Sequence, residues 1–200
     1  MRCKIEIFAL VMIFSLIISP SLTYAQGEGN SFFIGGELGL ALPTTPSSFS
    51  DSRGSAVSFG GFAGYSFTPE FSLEGSISYI SMPTDMSGVN QTIIPIAVVG
   101  RYNLSYSENL ATYLEGGAGI YISTVNLDSS SVEGTSSSDL GVLFGGGVSY
   151  RIAEQTSLEG KIRYNQILSI GSEGADWDNY GIANFSIGLR YYAQFVVEEQ

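Results

Sequence analysis

The stretch Leu140–Leu168, LGVLFGGGVSYRIAEQTSLEGKIRYNQIL, decides the fold. In its first half Leu140, Val142, Phe144, Val148, Tyr150 and Ile152 share one parity, and Gly141, Leu143, Gly145, Gly147, Ser149 and Arg151 share the other. After a tight turn, Leu158, Ile162, Tyr164 and Leu168 alternate with Ser157, Glu159, Lys161, Arg163 and Asn165. A period of two over this length describes extended chain, whose successive side chains point to opposite faces, so the segment predicts a hairpin. Each strand has one apolar face, and the charges and the glycines collect on the other.

The same alternation recurs on both sides of the hairpin. Phe32–Leu42, Val57–Phe67, Phe71–Ile80, Ile93–Leu104, Leu110–Ser123 and Asn184–Ala193 all read as strands, which gives eight with the hairpin. Pro95 removes a ladder donor and makes the fourth strand the least regular. Short turns at Thr68–Glu70, Ser105–Glu108 and Glu154–Gln155 alternate with long polar loops at Pro43–Arg53, Met82–Asn90, Asn126–Ser138 and Gly171–Asn179. A loose repeat runs through the chain: Leu73-Glu74-Gly75, Leu114-Glu115-Gly116 and Leu158-Glu159-Gly160 each open the strand after a short turn. Tyr65, Tyr102, Tyr150 and Tyr191 close the descending strands on the apolar face, as an aromatic girdle at a membrane interface would.

Residues 1–25 have the form of a secretory signal peptide. Arg2 and Lys4 give a basic start, Ile5–Ile18 a largely apolar run, and Thr23, Tyr24 and Ala25 a cleavage site. The expected mature domain is 26–200. Cys3, the one cysteine, falls within the leader, so the mature chain is expected to have no thiol, disulfide or lipid anchor. Removing the leader leaves 6 basic and 18 acidic residues, a net charge of −12, which speaks against nucleic acid as a partner. Histidine is absent, and with it the commonest general base and a common metal ligand.

Alternation alone does not say which face looks inward, and a soluble lipocalin-like barrel would bury the apolar side. Composition decides between them. The charged face is mostly Gly, Ser and Ala with isolated charges, and charged residues are only 14% of the chain, which suits a narrow, filled interior better than a soluble surface. Strands that cross a bilayer must close on themselves, because lipid offers the backbone no hydrogen-bond partners. The predicted fold is therefore all-β, an eight-stranded antiparallel up-and-down barrel that spans a membrane, with short turns periplasmic and long loops outside.

The whole mature chain resembles the small eight-stranded outer-membrane proteins, such as the OmpA transmembrane domain, OmpX and the opacity-type adhesins. In the last strand Ser186, Gly188 and Tyr191, followed by Phe195, resemble the signal those proteins present to the barrel assembly machinery, although five residues, Val196–Gln200, follow here. The resemblance implies a bacterial outer-membrane location, contact with outer-membrane lipid, handling by that machinery, and a monomer.

With this parity the inward charges are Glu37, Glu74, Arg101, Glu115, Arg151, Glu159, Lys161, Arg163 and Arg190. Their signs alternate along strands three to eight, so adjacent strands are expected to pair them in a structural network, with Glu159 nearly opposite Arg190. The competing reading is a proton or ion path. Inward Phe33, Phe62, Tyr121 and Leu143 read as upper-lumen filling and, alternatively, as the lining of a narrow channel for small, partly apolar molecules. The leading functional expectation is a non-enzymatic surface protein displaying acidic loops for adhesion, recognition or envelope integrity. A hydrolase is disfavoured, since no serine has a recognisable base beside it. Asp176 and Asp178 are read as solvated carboxylates, and no metal or cofactor is expected.

Overall fold

The computed structural model describes residues 30–51, 53–83, 89–106, 109–127, 136–168 and 179–193. Eight strands form one closed antiparallel barrel in sequence order: β1 (Ser31–Thr45), β2 (Ala56–Ser66), β3 (Phe71–Pro83), β4 (Val89–Tyr106), β5 (Leu110–Leu127), β6 (Ser136–Ala153), β7 (Thr156–Leu168) and β8 (Tyr180–Ala193). Closure is by β1 against β8, with Phe32 opposite Ala193 and Leu38 opposite Ile187. A single-turn helix α1 (Ser47–Asp51) interrupts the first long loop.

The parity read from the sequence holds around the barrel. Leu38, Val57 and Ile187 on the outer face are 67%, 64% and 66% exposed, while Phe33, Val99, Tyr113 and Leu143 on the inner face are buried. Outward aliphatic side chains of this kind are stable only against lipid, since a water-facing patch of this extent would aggregate. At the short-turn end Phe32 packs on Tyr65 with ring centroids 4.7 Å apart, and Tyr65 on Phe67 at 5.1 Å, which thickens the tyrosine girdle expected there.

The strands run further than their apolar alternation. Met82, Pro83, Asn90, Asn126, Leu127 and Ser136–Ser138 belong to ladders, and β8 begins at Tyr180. Asn90 pairs with Asn126, and Thr124 with Ser136. Asn90, Asn126 and Ser136–Ser138 are polar and still pair, because a ladder satisfies its backbone groups whatever the side chains. Pro95 has the effect expected of it: the β3–β4 pairing is interrupted between Ile77/Ile96 and Ile80/Ile93, with the register unchanged on either side. Bulges fall at Pro43/Thr45, Asn103/Ser105 and Arg151/Ala153, near strand ends. Residues 1–25, Phe195 and the loop carboxylates Asp176 and Asp178 lie outside the described residues.

Candidate functional site: the lumen

β7 places Glu159, Lys161 and Arg163 at three successive inward positions, and it takes part in five of the six ion pairs among the described residues. Arg101 Nη1 lies 2.5 Å from Glu159 Oε1, and Arg190 Nε lies 2.8 Å from the same oxygen. Arg190 also reaches Glu74 at 2.9 Å, Glu74 stands 3.5 Å from Arg163, and Arg163 Nε is 2.6 Å from Glu115. The result is one continuous chain, Arg101–Glu159–Arg190–Glu74–Arg163–Glu115. Lys161 and Glu37 form a separate pair at 2.5 Å. The eight charges balance, four against four, and so leave no net charge to be desolvated.

Most of these contacts differ from the pairing expected between adjacent strands. Arg101 and Glu115 are direct partners across β4 and β5, yet each turns to β7. Only Arg190–Glu159 joins neighbouring strands among the six. Even there the register sets Glu159 opposite Gly188 and Arg190 opposite Ser157, and the length of the arginine side chain makes up the two-residue offset. The lumen of an eight-stranded barrel is narrow enough for long side chains from opposite walls to meet at its axis. Arg101 is further fixed by its guanidinium lying 3.5 Å from the Tyr113 ring centroid and by Nε donating to Asn103 Oδ1 at 3.2 Å. Arg151 stands at the short-turn rim, half-exposed, opposite Ser157.

The shared face of charge and glycine has a steric cause. Glu37 is flanked in register by Gly60 and Gly188, Glu74 by Gly64, Glu115 and Arg163 by Gly145, Glu159 by Gly188, Lys161 by Gly147 and Arg190 by Gly35. A Cβ at these positions would meet the neighbouring strand's backbone or an inward aromatic ring, Phe62 over Gly35, Phe33 over Gly64 and Tyr113 over Gly147. A Cβ on Gly145 would sit 3.0 Å from the Arg163 Cα, already too close for comfort.

Phe33 and Phe62 belong to this charged layer and not to the upper lumen, which corrects the expectation for them. The Arg190 guanidinium lies 4.0 Å from the Phe33 ring centroid and 4.7 Å from that of Phe62. They lie low because the short-turn end of β1 holds Phe33 and β2 descends to meet it, pairing Phe62 with Gly35. Towards the long loops the filling turns apolar: Ala41, Ile80, Met82, Ile93, Tyr121, Ile167 and Ile182 form one buried cluster. Its uppermost member is Phe49 of α1, which enters from the loop and packs on Tyr180 at 4.8 Å. Arg53 lies over the outer face of the Phe49 ring at 4.3 Å and its Nε donates to Gln91 Oε1 at 2.5 Å. Burial pulls the Arg53 guanidinium below its ordinary pKa, and Tyr180 partly opposes the shift. Between the charged and apolar layers a cavity of about 10 Å³, bordered by Lys161, Asn165 and Asn184, has room for about one water.

The outer membrane protein beta-barrel domain family matches residues 7–192. The chain belongs to that family. Among solved structures, this outer-membrane barrel is similar to the Neisserial surface protein A, at 19% identity and TM-score 0.65, over 82% of this chain and 99% of that one. It is similar to the outer membrane protein OprG of Pseudomonas aeruginosa, at 16% identity and TM-score 0.57, over 85% and 99%. A third, the attachment invasion locus protein of Yersinia pestis, shares 16% identity at TM-score 0.52, over 83% and 99%. At these identities the likeness is one of fold. No curated protein sequence matches the chain.

Proposed function

We propose that this barrel is a non-enzymatic surface scaffold of the bacterial outer membrane, which seals its own lumen and acts through the acidic loops at its outer end. The observation that carries this reading is the double filling of the interior, a neutral network of eight charges below an apolar layer capped by Phe49. A filled lumen leaves the loops as the surface through which the protein meets other molecules. In this reading residues 1–25 are the export signal, and Ser186, Gly188, Tyr191 and Phe195 present the last strand to the assembly machinery. The protein then stands in lipid as a monomer.

The loop charges indicate the kind of partner. The four long loops carry Asp51, Asp85, Asp128, Glu133, Glu173, Asp176 and Asp178 against the single base Arg53. The Yersinia protein has been crystallised with a heparin analogue, sucrose octasulfate. Such a polyanion would be repelled here, so the ligand of these loops is cationic or neutral. The apolar upper layer favours a second reading, a narrow channel for small, partly apolar molecules, in which Phe49 and the charge network would both have to move.

The test replaces the four long loops by short turns in the chromosomal copy. The trimmed barrel should keep its compact gel mobility and reproduce the phenotype of a deletion strain. Full complementation by the loopless barrel would overturn the proposal.

A further inference from the structure

We propose that the outer mouth of the barrel is a binding site for a small, neutral aromatic molecule, and that Phe49 occupies it from the protein's own first long loop. Phe49 is 1% exposed although it belongs to a loop of Pro, Ser, Asp and Gly, and its ring is held as a ligand ring would be. Tyr180 lies against it at 4.8 Å with the planes 37° apart, and the Arg53 guanidinium covers it at 4.3 Å. The floor is apolar, formed by Ile80, Met82, Ile93 and Ile182.

The walls are fixed by contacts that do not involve Phe49. The Tyr180 hydroxyl hydrogen-bonds with Ser123 at 3.0 Å, and Arg53 is held by Gln91. A site whose walls are already set loses little on exchanging one ring for another. The turn also has bonds of its own: Phe49 and Ser50 donate their backbone N–H groups to the Pro46 carbonyl at 2.9 and 3.1 Å, and Ser50 Oγ donates to the Ser47 carbonyl. These bonds survive if α1 lifts as a unit.

Charge defines the ligand class. The long-loop sequences are acidic, which disfavours anions, and Arg53 over the ring repels cations, which leaves neutral molecules. The space taken by one phenyl group admits a single ring. Below it the apolar layer and the ion-pair chain remain closed, so the site is a blind pocket, and it stands independently of whether the loops are the display surface.

The test uses the full mature protein in lipid nanodiscs with 4-fluorophenol as probe, followed by fluorine NMR against empty nanodiscs. Wild type should show saturable binding, and Phe49→Ala should bind at least ten-fold more tightly, because the internal competitor is gone. Phe49→Leu keeps most of the bulk without the ring, and its affinity should fall between the two. If the alanine variant fails to regain compact gel mobility, the leucine variant carries the comparison. Affinity equal to wild type in the folded variants would overturn the proposal, as would signals matching empty nanodiscs. Binding by a variant alone, with none by wild type up to the solubility of the probe, would make Phe49 a permanent part of the core and overturn it equally.

Discussion

Glu159 accepts from Arg101 at 2.5 Å and from Arg190 at 2.8 Å, which makes it the member of the charge network whose loss should cost most. Glu159→Gln leaves the eight-charge network with four bases against three acids. Arg190 would keep Glu74 at 2.9 Å, while Arg101 would keep Asn103 and the Tyr113 ring and lose its carboxylate. Breaking a buried pair on one side costs about 3–5 kcal/mol, and this substitution should fall in that range. Arg190→Gln is milder, because Glu159 retains Arg101 and Glu74 retains Arg163 at 3.5 Å. The loss there is of charge-assisted hydrogen bonds, about 1.5–3 kcal/mol. The double variant restores the balance of three against three, so its cost should fall below the sum by roughly 1–3 kcal/mol. The assay is reversible urea unfolding in liposomes, read by the heat-modifiable gel shift. Strict additivity, or a larger cost for Arg190→Gln than for Glu159→Gln, would refute the connectivity.

Other expectations follow from the two faces and from the topology. Ile96→Arg, on the lipid side, should lower stability by about 2–4 kcal/mol, whereas Ala97→Ser, inward and one residue on, should be mild. Equal tolerance in liposome refolding would contradict the parity. Gly36 faces lipid with its nearest Cβ neighbour at 3.6 Å, so Gly36→Ala should be neutral or slightly stabilising in the same assay. Gly145→Ala, pressed against β7 and Arg163, should cost about 1–3 kcal/mol. Single cysteines at Ser48, Ser87, Ser130 and Glu173 should react with an impermeant thiol reagent on intact cells, and cysteines at Thr68 and Gln155 should not; labelling at Gln155 would invert the barrel.

The fold was legible because a sheet between lipid and a filled lumen needs strict alternation, and alternation is a local signal. Leu140–Ile152 alone shows it. Strand ends were less legible: Asn126 and Ser136 look like loop yet continue a ladder, since backbone pairing outside lipid puts little demand on side-chain polarity. Which residues face inward could be read, and so could the Glu159–Arg190 pair on neighbouring strands, but the contacts across the lumen could not. Arg101 and Glu115 are neighbours in register and still turn elsewhere, because reach across the lumen depends on the heights set by strand tilt. Phe49, among Pro and Ser in the first long loop, carries no periodic signal of burial. The available signal was that it is the one aromatic residue between Pro43 and Arg53, where nothing local would favour a bulky ring.

The central claim is that side chains close the lumen from end to end. Purified protein reconstituted in a planar bilayer measures this most directly. The account predicts a flat baseline at applied potential, unchanged by Ala97→Ser. Reproducible open-channel steps from the unmutated protein, scaling with the amount reconstituted and absent from protein-free controls, would contradict it.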